Sequence, residues 1–594
     1  MRLLAGFTRM RALGAGIIGL IAMAATAAET KPGPAAVVAY RLTPEVRNGA
    51  VTALDVEIRL RADATGRTLL DLPDRGMGQK DRWRFISNLH VDGASVSEDG
   101  PAKRILSSKP GAPIAISYRV HSAYASDPTG ADANPYKGAV IRPTWFSSLG
   151  GFVFITPERR DNAPATFRWG PLPKGWAVGS DLDPVTAGRP MTVASVVDST
   201  LLGGADVKLY ARPIPGGVLR VATRGGWTFP ERRLIDDIAT VVGAQRAFWG
   251  GASGPYFVSV MPLAVPPYYT SLGGTARFEG FALYGTSNAE EAEFRRLLAH
   301  EHTHNWIPFQ QGDLPEGAAQ PGAYWYSEGF TDFYADRTQL RTALWTPRDF
   351  IAHLNEVLRD YDISPAQRAP NSRIVADFWK NPDVSALAYQ RGYLLAFIWD
   401  GEIRRATHDS ADLDQVMFAM RDRYLAAPAK AKPGVIANFE TTARDLTGVD
   451  VRPDVQRFAI QGDAISLPRD LFGACATIAA VTVPAFDLGF DAPGSAASGV
   501  FAGVDPSGPA YAAGLRNGMK RIAREGGEPG DSRVEIIYRV LDQSGVERTI
   551  RYQPQGRTNV TFQQATLRPE AAKRSASCAA LLSGAVPRPR PITR

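Results

Sequence analysis

The hydrophobic period of this 594-residue chain changes twice, and these changes predict its fold class. The segment LDVEIRLR, residues 54–61, alternates strictly between apolar and charged residues, as a half-exposed strand does. Short runs of this kind, separated by Gly, Pro and Asp, recur to about residue 212. A helical period of 3.6 then takes over, and beyond residue 470 short strands return. The pattern predicts a multidomain α+β protein, because one core rarely organises so long a chain.

We divide the chain at these changes of period. Residues 36–212 are expected to form an antiparallel β-sandwich, residues 213–470 a mainly helical domain, and residues 471–582 a small β-rich domain. In the last of these, VEIIYRVL and RTIRYQP are read as two strands joined across the turn signal DQSG. Residues 583–594 are rich in Pro and Arg, which predicts a flexible tail without a function of its own.

Residues 1–28 have the pattern of a secretory signal peptide. Three arginines precede the apolar run GAGIIGLIAMAATAA, which ends in small residues that resemble a cleavage site. A single membrane anchor is the alternative, although the run is short for a bilayer span. We therefore expect the chain to be exported, to the periplasm or beyond, and the mature protein to have no stable membrane span.

The charge of the chain gives no reason to expect a polyanionic partner. The formal net charge is +7, and removal of the predicted signal peptide takes away three arginines and no acids, which leaves +4. So mild an excess predicts no nucleic-acid partner.

The chain has only two cysteines, Cys475 and Cys578. In an exported protein an even pair indicates a disulfide, which here would close the C-terminal module on itself. Two buried thiols are the alternative.

The stretch LLAHEHTHNWIP, residues 297–308, places three of the chain's seven histidines within five positions. The helix that carries it is expected to begin near Ser287, because Glu290 three residues later completes a pattern that resembles a capping box. It should end by Pro308, since proline disrupts a helix interior.

Two of these histidines can point at one metal ion. His300 and His304 are four residues apart and lie about 40° from each other around a helix axis. His302 is turned roughly 200° from His300, so we regard it as incidental to the motif. The spacing is that of a His-Glu-x-x-His zinc motif, with Glu301 as the catalytic base. A polar helix face with histidines by chance is the alternative.

A catalytic zinc ion needs a third protein ligand and an open fourth position. The segment YWYSEGFTDFYADR places Glu328 and Asp332 on one helical face, 24 and 28 residues after His304. Glu328 is the candidate ligand, and Asp332 can accept the free ring N–H of a ligand histidine. A solvated acidic face is the alternative, but the surrounding aromatic residues favour a buried one. The ligand set predicts one Zn²⁺ ion.

The stretches HEHTHNW and WYSEGFTDFY resemble the gluzincin metallopeptidases, and within that group the chain is most similar to the glycyl aminopeptidase family. Family members join an N-terminal β domain, a thermolysin-like helical catalytic domain and a C-terminal PDZ domain. The resemblance implies that residues 213–470 form a zinc peptidase domain acting on peptides or unfolded polypeptides. It favours an aminopeptidase. A zinc endopeptidase and a non-catalytic peptide-binding scaffold are the alternatives.

Related aminopeptidases also carry a catalytic tyrosine in a Tyr-x-Lys-Gly setting. The stretch AYQRGYLLAFIWD gives Tyr389, with Arg391 where lysine often stands. The resemblance implies that Tyr389 donates a hydrogen bond to the developing oxyanion. Ordinary helix packing of Tyr389 or Tyr393 is the alternative.

The chain departs from the family in the loop before the zinc motif. Members often have Gly-Gly-x-Glu-His there, with a glutamate related to the one that holds a substrate's amine, whereas this chain reads LGGTARFEGFALYG. Aligning Gly273 and Gly274 puts Ala276 at the glutamate position. Glu279 can replace that glutamate if the loop is longer. Gly273, Gly274 and Glu279 are therefore the candidate substrate-binding residues, and recognition of a free amine is in question.

The C-terminal domain resembles a PDZ domain in part. FDLGF, residues 486–490, is similar to the loop whose backbone amides bind a peptide C-terminus as it joins the sheet as an added strand. GVDPSGPAYAAGLRNGMKRI resembles the PDZ signature, but Met519 stands where aspartate is usual. The stretch EGGEPGDS is also short for the helix that normally forms one wall of the groove.

Overall fold

The structure is a computed structural model of the full chain. It describes residues 37–74, 76–128, 134–183, 190–263, 270–277, 279–573 and 575–584. The predicted signal peptide and nearly all of the predicted tail lie outside these residues. None of the helices in the described ranges combines the length and the apolar character that crossing a membrane requires.

The N-terminal region is built almost entirely from strands. They are β1 Val38–Arg47, β2 Ala50–Arg61, β3 Arg67–Asp71, β4 Ile86–Asp92, β5 Ser95–Glu98, β6 Lys103–Ser107, β7 Pro113–Val120, β8 Val140–Arg142, β9 Trp145–Leu149, β10 Thr156–Pro157, β11 Ala165–Trp169, β12 Ala177–Ser180 and β13 Thr200–Gly204, with the short helix α1 Val193–Val197 before β13. Three sheets result, in the orders β11-β1-β2-β7-β4, β10-β3-β6-β5 and β12-β13-β9-β8.

The alternating segment lies in β2 as predicted. Leu54, Val56, Ile58 and Leu60 are all at most 5% exposed and face the core of this region. The described strand pairs of the three sheets are antiparallel except β1 with β11, which is parallel. That pair departs from the predicted antiparallel arrangement because a long connection, rather than a hairpin, separates the two strands and leaves their relative direction free.

The central region opens with a five-stranded sheet. Its strands are β14 Lys208–Ile214, β15 Gly217–Thr223, β16 Tyr256–Leu263, β17 Leu272–Arg277 and β18 Gly280–Thr286, in the order β14-β15-β16-β18-β17. The boundary that we predicted between residues 212 and 213 lies inside β14. The expectation of a mainly helical region missed β16 to β18, because strands buried on both faces show no alternation of apolar and polar residues.

The helices of the central region are α2 Glu231–Trp249, α3 Glu291–Thr303, α4 Tyr324–Arg341, α5 Pro347–Asp362, α6 Asn371–Asp377, α7 Pro382–Ala406, α8 Leu413–Ala426, α9 Val435–Thr447 and α10 Arg452–Asp454. The segments with a 3.6-residue period in the sequence form α2, α5 and α8, as predicted. The helices from α4 through α9 share one core that is rich in aromatic residues. Together these elements confirm the predicted multidomain α+β class.

The C-terminal region contains β19 Ala476–Phe486, β20 Lys520–Gly526, β21 Ile536–Leu541, β22 Glu547–Tyr552 and β23 Gln555–Leu567, and the helices α11 Ala492–Ser498, α12 Pro509–Ala512, α13 Pro569–Lys573 and α14 Ser575–Ser583. The predicted hairpin is formed by β21 and β22, which pair antiparallel across the DQSG turn. The stretch after FDLGF forms α11 rather than a strand that could receive a peptide at that edge. The PDZ assignment stays a prediction.

Cys475 and Cys578 form the predicted disulfide, with their Cα atoms 5.3 Å apart. Both residues are buried in the same core as the central helices. The bond therefore joins the two ends of the C-terminal module where they pack on the helical region. Arg341, at the end of α4, also donates a hydrogen bond of 2.5 Å to the Ser583 carbonyl oxygen of α14.

Candidate metal centre

The helix α3 carries the histidine motif, but it begins later than predicted. Its N-cap is Glu290, whose backbone N–H donates to the Glu293 carboxylate at 3.2 Å. The capping box expected at Ser287 is wrong, because the chain there forms a turn closed by the Ala289 N–H and the Thr286 carbonyl oxygen. The helix ends at Thr303, before Pro308, as expected.

Three predicted ligands converge on one point. The Nε2 atoms of His300 and His304 lie 3.1 Å apart, and the Glu328 Oε2 atom is 3.4 Å from the first and 3.5 Å from the second. In the described part of the chain these three residues form the one group of His, Cys, Asp and Glu side chains able to hold a metal. All three are buried.

Hydrogen bonds at the other ring nitrogen orient both histidines. The Nδ1 atom of His304 lies 2.9 Å from the Ile307 carbonyl oxygen, which can only accept, so Nδ1 carries the proton. The Nδ1 atom of His300 lies 2.9 Å from Asp332 Oδ1, a carboxylate oxygen that likewise accepts. In the neutral rings both Nε2 lone pairs therefore point at the same place. Two lone pairs so close repel each other unless a cation lies between them.

The Glu328 carboxylate is held with one oxygen facing that place. The Ser327 hydroxyl donates to Glu328 Oε1 at 2.9 Å, whereas the buried Oε2 atom, apart from its contacts with the two histidine Nε2 atoms, accepts no hydrogen bond from the described residues. Burial alone would raise the pKa of Glu328, but the charged forms of His304 and His300 outweigh it and lower the pKa, and a metal cation in the same place would act in the same direction. Two imidazole nitrogens and one unpartnered carboxylate oxygen fit a zinc ion with an open fourth position.

Glu301 is the neighbour of His300 in this group and is 2% exposed. Neither of its carboxylate oxygens accepts a hydrogen bond from a residue that the structure describes. Burial raises the pKa of Glu301 to about 7, against the opposing effect of His300 and His304. A carboxyl group with a pKa near neutrality can take up and release a proton at low cost.

A close contact between α4 and α7 places Tyr389 next to the centre. A Cβ atom on Gly392 would overlap the Trp325 carbonyl oxygen, and one on Gly329 would clash with Gly392, so glycine is required at both positions. The ring of Tyr389 lies 6.0 Å from that of His300, centre to centre, at 28°. Burial, reinforced by Glu328, raises the pKa of Tyr389 well above its ordinary value, so the phenol keeps its proton.

Asp332 is itself held by residues that the sequence analysis did not single out. Arg296 donates to Asp332 Oδ1 at 3.1 Å and to Asp336 Oδ1 at 2.8 Å, and the Tyr393 hydroxyl donates to Asp336 Oδ2 at 2.8 Å. Burial opposes ionisation of Asp332, but Arg296 and His300 lower its pKa to about 2. Arg296 precedes His300 by four residues and Asp336 follows Asp332 by four, so helical spacing was the signal that could have found them.

His302 faces away from the centre. Its Nδ1 atom lies 2.6 Å from Gln245 Oε1, and its ring packs against Tyr256 at 4.8 Å. Burial lowers the pKa of His302 to about 3, so the ring stays neutral. Its contacts are those of a core residue.

The candidate substrate residues lie on the edge strand β17 and in the turn that follows it. Gly273 and Gly274 pair with Tyr284 and Leu283 of β18. Glu279 is buried in the turn, where its carbonyl oxygen accepts the Phe257 N–H at 2.9 Å. The structure does not bring Glu279 into the ligand group.

A match to a known family covers the residues of this centre. Residues 293–380 match the family model described as M61 glycyl aminopeptidase, a segment that includes all three ligands and Glu301 but not Tyr389. The match confirms the family resemblance and the prediction of a metallopeptidase. A comparison with curated proteins found no significant match.

A comparison with solved structures found a protein of similar fold. An aminopeptidase N family protein from Idiomarina loihiensis aligns with a TM-score of 0.63 at 16% identity, over 92% of this chain and 100% of that one. An M1 zinc metallopeptidase from Deinococcus radiodurans aligns with a TM-score of 0.44 at 16% identity, over 73% of this chain and 95% of that one. At 16% identity the Idiomarina structure supports a similarity of fold and nothing more. The likeness to the Deinococcus structure is too weak to support an argument.

Proposed function

We propose that this metallopeptidase is a zinc aminopeptidase that removes residues from the free N-termini of peptides or unfolded polypeptides. The observation that carries the proposal is the convergence of two oriented Nε2 atoms and the unpartnered Glu328 Oε2 atom beside the unpartnered Glu301 carboxylate. A solvated polar helix face would not bury two histidines and two carboxylates with so few hydrogen-bond partners among the described residues, since each unpaired polar group would cost stability.

His300, His304 and Glu328 would hold the zinc ion. When bound, zinc supplies Lewis acidity, which lowers the pKa of a water molecule and polarises a carbonyl group. Glu301 takes the proton of the attacking water and returns it to the leaving amine. Tyr389, which keeps its proton, donates a hydrogen bond to the oxyanion. Asp332, held by Arg296, fixes the tautomer of His300.

Export of the protein is a further part of this proposal. Its support is the signal-peptide pattern of residues 1–28, together with the disulfide between Cys475 and Cys578. Disulfides persist in oxidising compartments such as the periplasm. The mature chain would then meet its substrates outside the cytoplasm.

We also propose that residues 471–582 form a PDZ-like domain whose FDLGF loop binds the terminal carboxylate of a peptide, without the strand addition that α11 prevents at that edge. In the FDLGF loop the N–H groups of Asp487 and Gly489 are already used within the protein, by the Pro554 carbonyl oxygen and the Asp487 side chain. Those of Leu488 and Phe490 donate to no acceptor among the described residues. Two such amides in one loop are suited to a carboxylate.

Free and N-acetylated forms of one peptide library distinguish the three functional readings. An aminopeptidase with one equivalent of zinc should release single residues from the free peptides and leave the acetylated ones intact, as mass spectrometry would show. Internal cuts in both forms would indicate an endopeptidase, the reading that Ala276 at the family's glutamate position favours. No cleavage of either form would indicate a peptide-binding scaffold and refute the proposal.

A further inference from the structure

A cavity of about 160 Å³ adjoins the candidate metal centre. His304 and Glu328 form the wall that it shares with the centre. The segment that follows α3, residues 308–314, forms a second wall, and Tyr324 at the start of α4 forms a third. Tyr424 of α8 completes the lining. A substrate side chain next to the scissile bond can therefore enter this cavity while the bond lies at the centre.

Part of the lining is apolar. Pro308 and Leu314 lie on the segment after α3, and the lining also includes Tyr324. Phe309 also contributes, with 40% of its surface exposed. Such a surface favours an aliphatic side-chain stem, which gains from contact with apolar atoms.

Among the described residues, the lining carries one acid besides the ligand Glu328 and no Lys or Arg. This acid is Asp313, whose Oδ1 atom accepts a hydrogen bond of 2.7 Å from the Tyr424 hydroxyl. Its Oδ2 atom accepts none among the described residues. The backbone of Asp313 is fixed on both sides, because its N–H donates to the Pro433 carbonyl oxygen and its own carbonyl oxygen accepts the Val435 N–H, each at 3.0 Å.

The lysine next to this site is engaged elsewhere. The Lys432 ammonium lies 4.2 Å from the centre of the Tyr424 ring and donates to the Tyr424 carbonyl oxygen. No ion pair joins it to Asp313 in the described part of the chain. Asp313 is exposed, and among the described residues no ion pair engages its carboxylate, which therefore stays available to a cationic group in the cavity.

We propose that the cavity receives a basic side chain, Lys or Arg, from one of the two substrate residues that flank the scissile bond. The apolar lining contacts the stem, and Asp313 pairs with the charged end. The ring of Phe309, which also lines the cavity, can add a cation–π attraction. This inference rests on the proposed peptidase function and names a substrate class for it.

The test compares specificity constants for peptides that differ at one residue. Peptides with Lys, Arg, Met or Leu at each of the two flanking positions are cleaved by the zinc-loaded wild type, by Asp313→Asn and by the control Glu316→Gln. Glu316 is an exposed acid three residues after Asp313 and is not among the residues that line the cavity. At one position the wild type should prefer Lys and Arg over Met by about twofold to fivefold, the upper part of the range for exposed ion pairs.

The preference should vanish in Asp313→Asn, persist in Glu316→Gln, and shrink in the wild type as salt screens the pair. The inference is wrong if peptides with Met or Leu are cleaved with the same specificity constant as those with Lys, or if Asp313→Asn slows the cleavage of every peptide by the same factor. In either case the peptidase function stands. If the wild type cleaves no peptide, the proposed function itself fails, and the inference fails with it.

Discussion

Glu301→Gln should lower kcat by about 10³-fold while the protein still binds one zinc ion. The substitution keeps the size and position of the side chain but removes its ability to take a proton from water, a contribution worth about 10²–10⁴-fold in other enzymes. Because Glu301 is not one of the three residues whose ligand atoms converge, its substitution should leave metal binding unaffected. Initial rates on an unblocked peptide and metal analysis of the dialysed protein measure the two effects separately.

Glu293→Gln is the matched control. It makes the same chemical change on the same helix, at the N-terminal end of α3 and away from the ligand group, and Gln also serves in a capping box. Its rate should remain within about twofold of the wild type, in line with the small effect of most surface substitutions. Activity retained by Glu301→Gln would show that another group is the base.

His304→Asn should abolish stoichiometric zinc binding, whereas His302→Asn should retain it. The first change removes one of three converging ligands, whereas the second changes a core residue that hydrogen-bonds Gln245. The two histidines stand two positions apart on one helix, so a general loss of folding would affect both variants. Isothermal titration of zinc into the metal-free proteins, with thermal unfolding recorded in parallel, separates loss of the site from loss of the fold.

Two outcomes would contradict this assignment. Zinc bound with wild-type affinity by His304→Asn would remove His304 from the ligand set. Loss of zinc by a well-folded His302→Asn would mean that the buried ring turns toward the metal, against the contact with Gln245 and the packing on Tyr256.

The sequence was sufficient to predict those strands and helices that have one exposed face. The strict alternation of residues 54–61 placed β2, and the amphipathic segments placed α2, α5 and α8, because one buried face imposes a period on the sequence. It was insufficient for β16 and β18, which are buried on both faces and read as continuous apolar runs. The parallel pairing of β1 with β11 likewise could not be predicted from a local sequence pattern.

The same limit applies to the metal centre. The ligands could be named because His300 and His304 share one helix face and Glu328 stands in a recognisable stretch. The groups that orient them could not. The acceptor for His304 is the backbone carbonyl oxygen of Ile307, and Ser327 holds Glu328 through a neighbouring hydroxyl. Neither contact can be recognised from the residue types or from their spacing in the sequence.

A zinc titration of metal-free protein tests the central claim most directly. Peptide cleavage is followed by mass spectrometry as zinc is added to the wild type and to Glu301→Gln. We predict no cleavage without metal, a linear rise to a plateau at one zinc per chain in the wild type, and no comparable rise in the variant although it binds the same amount of zinc. Cleavage by the metal-free wild type, or equal rates in the two proteins at one equivalent of zinc, would contradict the account.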